Sequence, residues 1–188
     1  MANVLIRKSI ALKVLQYSIL FLVVYQSLHV LDHILQYYEL YVLGINPNPP
    51  PAIFEGLFNA SDTKVHLWLN MIEHATFILI LTSLYLTYRY LRRVRGYVRK
   101  SIALKVLQYS ILFLVVYQSL HVLDHILQYY ELYVLGINPP PAIFEGLFNE
   151  SDTKIHLWVN GILIVSSFVV LITFMKSKAI LSYLPPNN

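Results

Sequence analysis

The stretch RKSIALKVLQYSILFLVVYQSLHVLDHILQYYELYVLGINP occupies residues 7–47 and recurs unchanged at residues 99–139. After a proline-rich loop the repeat resumes, as PPAIFEGLFNASDTKVHLWLN in the first copy and PPAIFEGLFNESDTKIHLWVN in the second. Self-similarity of this kind indicates that one structural unit occurs twice. We therefore expect two units of the same architecture, residues 1–95 and 96–188, packed about a pseudo-two-fold axis along the membrane normal.

Each copy contains two apolar blocks that are long enough to cross a bilayer, which takes about 20 helical residues. Hydrophobic residues make up 57% of the 188 residues, and charged residues only 13%, against about 25% in an average soluble domain. The sequence therefore predicts an all-α fold, an integral membrane four-helix bundle made of two tandem transmembrane helical hairpins. The predicted spans are approximately residues 10–41, 63–88, 102–133 and 153–175.

The distribution of basic residues predicts the orientation of the chain. Twelve of the fourteen Lys and Arg residues flank the spans at one membrane face, where none of the ten acidic residues lies. Cytoplasmic flanks carry an excess of Lys and Arg, so both termini are predicted to be cytoplasmic, in a cell or inner membrane. The loops at residues 44–63 and 136–153 are then external. Their PAIFEGLF segments favour short interfacial helices, and a lid or partner surface is the alternative.

Ionisable side chains lie inside the first and third spans. Gln26, His29, His33 and Gln36 follow spacings of 3, 4 and 3, which place them on one helix face, and Asp32 lies at its edge. Burying such groups in a membrane costs roughly 2.5–3.5 kcal/mol each, so they indicate a functional site. The third span repeats the set as Gln118, His121, Asp124, His125 and Gln128.

One interpretation of these residues is a pair of transition-metal sites. With a rise of about 1.5 Å per residue, Asp32 and His33 are expected near the height of His66. Imidazole with carboxylate is a ligand set for copper, iron or zinc, although Asp can also act by orienting a histidine. The predicted metal ligands are Asp32, His33 and His66 in the first copy and Asp124, His125 and His156 in the second.

A second interpretation is a b-type haem held by two imidazoles from different helices at one depth. The predicted cofactor-binding residues are His29, His74 and His121. His29 is expected level with His74 and too far from His66 to share an ion with it. Because the second copy has Ile164 in place of His74, a site that uses His74 exists once.

The sequence also excludes some classes of function. Without cysteine the chain has no thiolate for an iron–sulfur cluster, and it has no glycine-rich phosphate loop. We expect a small membrane subunit of a redox assembly of the oxidase or monooxygenase type, rather than a stand-alone enzyme. Its expected partners are the lipid bilayer and other membrane subunits, not nucleic acid. The alternatives are an accessory subunit whose polar residues only pair helices, and a small cation or proton transporter.

Overall fold

The computed structural model describes residues 2–45, 53–90, 101–138 and 142–182. Helices α1, α3, α4 and α6 are each long and apolar enough to cross a membrane, which confirms the predicted helical membrane bundle. Three of them exceed the predicted spans, α1 and α6 by more than a turn, because polar residues beyond an apolar block continue a helix when nothing terminates it. The helices are α1 (Ala2–Tyr41), α2 (Ile53–Phe58), α3 (Asp62–Tyr90), α4 (Ile102–Tyr133), α5 (Ala142–Phe148) and α6 (Asp152–Ser182).

The four long helices form a closed ring. Helix α1 packs against α3 and α6, and α4 packs against the same two helices. Since successive spans run in opposite directions, each helix is antiparallel to both of its neighbours, an up-down-up-down bundle. We call the end of the bundle that carries the short helices α2 and α5 the loop end, and the opposite end the terminal end.

A glycine ends the first long helix of each copy. Gly44 and Gly136 have φ angles of +68° and +70°, a left-handed conformation that glycine adopts without a steric penalty. The backbone amide of Ile45 then donates to the carbonyl of Glu39 at 2.9 Å, and the second copy repeats this bond. Both copies therefore leave the bundle in the same way and direct the chain into a short loop helix.

The apolar core lies in the terminal half of the bundle. Some buried hydroxyl groups in this half are satisfied within their own helix, as where Thr87 donates to the carbonyl of Ser83 at 2.8 Å, whereas the hydroxyl of Ser177 has no hydrogen-bond partner in the described chain. Buried ionisable side chains are concentrated toward the loop end instead. Among the fully buried apolar side chains are Leu15, Ile19, Leu22, Phe77, Ile80, Leu107, Ile111, Leu114 and Leu163.

The loop helices are attached to aspartates of the membrane-length helices. One Asp32 oxygen accepts hydrogen bonds from the backbone amides of Ile53 and Phe54, at 2.7 and 3.2 Å. Asp124 holds the first turn of α5 in the same way, at 2.7 and 3.1 Å. The sequence favoured helices seated among lipid headgroups, but amphipathicity alone does not distinguish headgroups from a polar site of the protein. Here the protein supplies the polar partner.

Candidate metal centre

Six of the seven histidines form one buried cluster near the loop end of the bundle. Each hairpin contributes two histidines from its first long helix and one from its second. On α1 and α4 the two histidines are four residues apart, so they lie on the same face of the helix. The six are His29 and His33 of α1, His66 of α3, His121 and His125 of α4, and His156 of α6.

Within this cluster the histidines form two triads. The first triad is His29, His33 and His66, and the second triad is the equivalent His121, His125 and His156. In each triad one ring nitrogen from every histidine lies within 4.8 Å of the other two. A metal ion binds imidazole nitrogen at about 2.0–2.1 Å, which puts two ligands of one tetrahedral ion about 3.4 Å apart. Nitrogens within 4.8 Å of one another are therefore close to the spacing that the ligands of one ion require.

The two triads are in contact with each other. The ring centroids of His33 and His156 are 5.5 Å apart, and those of His66 and His125 are 5.9 Å apart. His66 and His156 lie 6.1 Å apart by the same measure. The six imidazoles therefore form one continuous cluster between all four long helices, with the two potential ion positions side by side.

Glutamine side chains orient one histidine of each triad. Nδ1 of His33 lies 2.9 Å from Oε1 of Gln36, and Nδ1 of His125 lies 2.8 Å from Oε1 of Gln128. An amide oxygen only accepts hydrogen bonds, so Nδ1 carries the proton and Nε2 keeps its lone pair. Fixing a ring tautomer through the other nitrogen is the usual way in which proteins prepare a metal-binding histidine.

Aspartates at the start of α3 and α6 orient a second histidine in each triad. Nδ1 of His66 lies 3.0 Å from a carboxylate oxygen of Asp62 and 3.1 Å from its backbone carbonyl. Asp152 holds His156 through the same two atoms, both at 3.0 Å. In these pairs too, the hydrogen bonds are made by Nδ1 and leave Nε2 directed into the cluster.

The Nε2 atoms are not satisfied by hydrogen bonds to other parts of the described chain. Those of His29, His33, His66 and His156 are buried and have no partner there, and those of His121 and His125 lie 3.1 Å from each other. A buried polar group without a hydrogen bond costs about 1–3 kcal/mol. Converging lone pairs with orienting groups behind them are the arrangement that a metal ion would stabilise.

Carboxylates lie between the first triad and the loop helix. The second oxygen of Asp32 is buried 3.8 Å from Nε2 of His66, and Glu55 lies 3.7 Å from Nδ1 of the same ring. Burial, with a hydrogen bond to Asp62 and the charge of Asp62, raises the pKa of Glu55 to about 7. Burial and Asp152 raise the pKa of the equivalent Glu145 to about 9.

One buried carboxylate belongs to the first copy alone. An oxygen of Glu73 lies 3.8 Å from Nδ1 of His29 and 3.4 Å from the amide nitrogen of Gln118. With its amide turned so that the nitrogen faces the carboxylate, Gln26 also donates to both oxygens of Glu73, at 2.6 and 2.8 Å. The second copy has Leu163 at this position, and Nδ1 of His121 has no hydrogen-bond partner within the described chain.

The relative heights expected for the histidines are wrong. His29 and His66, expected to be too far apart to share an ion, have ring centroids 5.5 Å apart. His74, expected beside His29, is partly buried and belongs to neither triad. The spans are longer than a bilayer requires, so their midpoints do not define the axial register of one helix against another. Contacts such as the 2.8 Å bond from the Tyr25 hydroxyl to the Leu69 carbonyl define it.

The metal ligands predicted from the sequence are therefore differently grouped in the structure. His33 and His66 lie together, as do His125 and His156, and His29 and His121, predicted for haem, join them. Asp32 lies beside His66, but its clearest contacts are the amides of α2. The sequence placed Gln36 and Gln128 on the histidine face, but it did not predict that they and the two aspartates orient histidines, although the signal was present as Gln three residues after a histidine and Asp four residues before one.

No protein-family model, curated protein or solved structure matches this chain. Its functional interpretation therefore depends on the chemistry and geometry of the histidine cluster.

Proposed function

We propose that this protein is an integral membrane metalloprotein that binds two transition-metal ions, one in each triad, as the redox centre of a membrane assembly. The observation that supports this most directly is the convergence of six buried imidazoles, most of whose Nδ1 atoms are oriented by the protein while four of the six Nε2 atoms have no hydrogen-bond partner in the described chain. Nitrogen donors of this kind suit copper, iron and zinc. The unequal basic flanks favour a loop end that faces outside.

Three protein ligands per ion favour a reactive site over a purely structural one. Structural zinc sites are normally closed by four protein ligands, whereas catalytic metal sites commonly have three and leave a position open for water or substrate. Because the triads are in contact, the open positions of two ions would lie near each other. Such a pair of copper or iron ions suits oxidase or monooxygenase chemistry on a small molecule bound between them.

The same geometry favours ions over haem. A porphyrin occupies the four equatorial positions of its iron and leaves two axial positions for protein ligands. In each triad, however, three imidazole nitrogens converge, and the rings of His33 and His66 are only 4.7 Å apart by their centroids. Three ligands that converge in this way match the coordination of a bare ion.

A redox role implies partners. Cysteine is absent from the 188 residues, so an iron–sulfur relay that delivers electrons to this centre would have to come from another polypeptide. Partner membrane subunits are therefore part of the proposal. The lipid bilayer is the expected surrounding of the four apolar helices.

A purely structural role explains fewer of the contacts. Below the histidines, the Gln118 amide donates to the Asn70 side chain at 2.8 Å and to the Asn70 backbone carbonyl at 3.4 Å. These bonds pair helices of different copies and need no cofactor. The histidine nitrogens above them have no comparable partners, which is the feature that a structural role leaves unexplained.

A transport path is also less well supported. A cation or proton path would continue through the bundle with polar side chains or water. The terminal half is instead closed by packed apolar side chains, among them Leu15, Ile19, Phe77 and Ile80. The histidine cluster is therefore closed toward the terminal end of the bundle, whereas a transport path would have to continue to that end.

The test is native purification followed by elemental analysis and an absorption spectrum. We expect two equivalents of copper or iron per chain and no Soret band. His66→Ala should reduce the content to one equivalent, whereas His74→Ala, which changes a histidine outside both triads, should retain two. A Soret band would show that the cofactor is haem rather than two ions. A protein that is metal-free after growth in metal-replete medium would contradict the proposal. Zinc alone would remove its redox part.

A further inference from the structure

The two triads differ in one buried group. Both have the same glutamine behind His33 or His125 and the same aspartate behind His66 or His156. The difference is behind the remaining histidine, where the first copy has Glu73 and the second has Leu163. Glu73 and Leu163 are both fully buried, so neither position is reached by solvent that could equalise the two sites.

Glu73 is positioned to act on the first triad. Its carboxylate lies 3.8 Å from Nδ1 of His29, a nitrogen that has no other partner in the described chain. If Nε2 of His29 binds an ion, Nδ1 carries the proton and faces this carboxylate. The two glutamine amides on the other side of Glu73 hold it in place.

A carboxylate behind a metal-binding histidine strengthens the site in two ways. It makes the imidazole a better donor and holds its orientation, and removing such a group typically lowers metal affinity about 10–100-fold. In its ionised form it also brings a negative charge close to a divalent cation in a region of low dielectric constant, where charge interactions are strong. Leu163 supplies neither effect to the second triad.

We infer that Glu73 is a positioning residue that makes the two ion sites unequal, so that the first triad fills before the second. This inference depends on the proposed metal-binding function. It follows that, at limiting metal, the protein holds one ion, in the first triad. It also predicts that the two ions of the full site differ in their spectroscopic properties, although their directly coordinating residues are the same.

The experiment is a titration of the metal-free full-length protein in detergent with Co²⁺, whose visible absorption reports on the ligands of each bound ion. The wild-type protein should bind in two steps whose dissociation constants differ about 10–100-fold. His33→Ala should remove the tight step, and His125→Ala should remove the weak one. These two variants assign each step to a triad.

Exchanging the two residues provides the matched test. Glu73→Leu gives the first triad the surroundings of the second, so the two steps should merge, and Glu73→Gln should bring them closer. The double exchange Glu73→Leu with Leu163→Glu should transfer the tight step to the second triad. His74→Ile exchanges the neighbouring residue that also differs between the copies, and should leave the two steps unchanged.

The outcomes separate the inference from the function on which it depends. Two equal steps in the wild-type protein, or two unequal steps that persist in both Glu73 variants, would overturn the role of Glu73 while leaving metal binding intact. No binding of Co²⁺ by the wild-type protein would overturn both. Because Glu73→Gln retains the shape and hydrogen-bonding capacity of the side chain, it serves if Glu73→Leu does not fold.

Discussion

The two hairpins share most of their sequence and nearly all of their site contacts, yet they are not equivalent. Residues 7–47 and 99–139 are identical, and both copies hold the first turn of the loop helix through an aspartate and one histidine through a glutamine. The differences lie in the second long helix and the loop before it, and they include Glu73 against Leu163, His74 against Ile164, and Ala60 against Glu150. A duplicated unit can thus keep its clustered histidines while the surroundings of those histidines diverge.

The largest effect expected from this comparison is a loss of metal affinity that should be equal in the two copies. Asp62→Ala and Asp152→Ala each remove the carboxylate that orients one histidine, and each should weaken its own site about 10–100-fold. Titration of the metal-free variants with Co²⁺ measures the dissociation constant of each site. The losses should be the same within error, because the two aspartates make matching contacts of 3.0 Å. A loss confined to one copy would show that the triads are not built alike.

A smaller effect is expected on the loop helices. Asp32→Ala and Asp124→Ala each remove two backbone hydrogen bonds to a buried carboxylate, worth about 1.5–3 kcal/mol each. Hydrogen exchange at the amides of Ile53 and Phe54, or of the equivalent residues of α5, should accelerate at least about tenfold. Unchanged exchange would mean that α2 and α5 are held by other contacts.

The smallest effect concerns a charge pair that only the second copy has. Lys154 lies 3.1 Å from Glu150, whereas Lys64 has Ala60 at the corresponding position. Both partners are partly exposed, and pairs of this kind contribute little to stability. Glu150→Ala should therefore leave the thermal unfolding temperature in detergent unchanged, with Ala60→Glu as the reciprocal variant. A clear decrease would mark this loop as a structural difference between the copies.

Much of the fold follows from local patterns that the sequence displays directly. The duplicated apolar blocks define four membrane-length helices, and Gly44 and Gly136 end two of them. The spacing of His29 and His33 places both on one face of α1 whatever the neighbouring helices do. The heights estimated from the helical rise also placed His33 near His66, and their ring centroids lie 4.7 Å apart.

The grouping of ligands required the tertiary structure. Which residues of α3 face His29 depends on the axial position of α3 relative to α1. Apolar helices that are longer than the bilayer is thick do not fix this position by themselves. Specific contacts determine it, such as Tyr25 with Leu69 and Gln118 with Asn70. They bring His66, not His74, to His29 and place Glu73 behind its ring.

The amino-acid sequence by itself therefore determined the repeat, the helices and the residue types available for chemistry, because these depend on composition and on periodicity within one helix. The tertiary structure decided which of those residues meet: six histidines in two adjoining triads, with one additional carboxylate on the first. The physical reason is that helix register is set by a few polar contacts between helices, and no single helix contains both partners of such a contact.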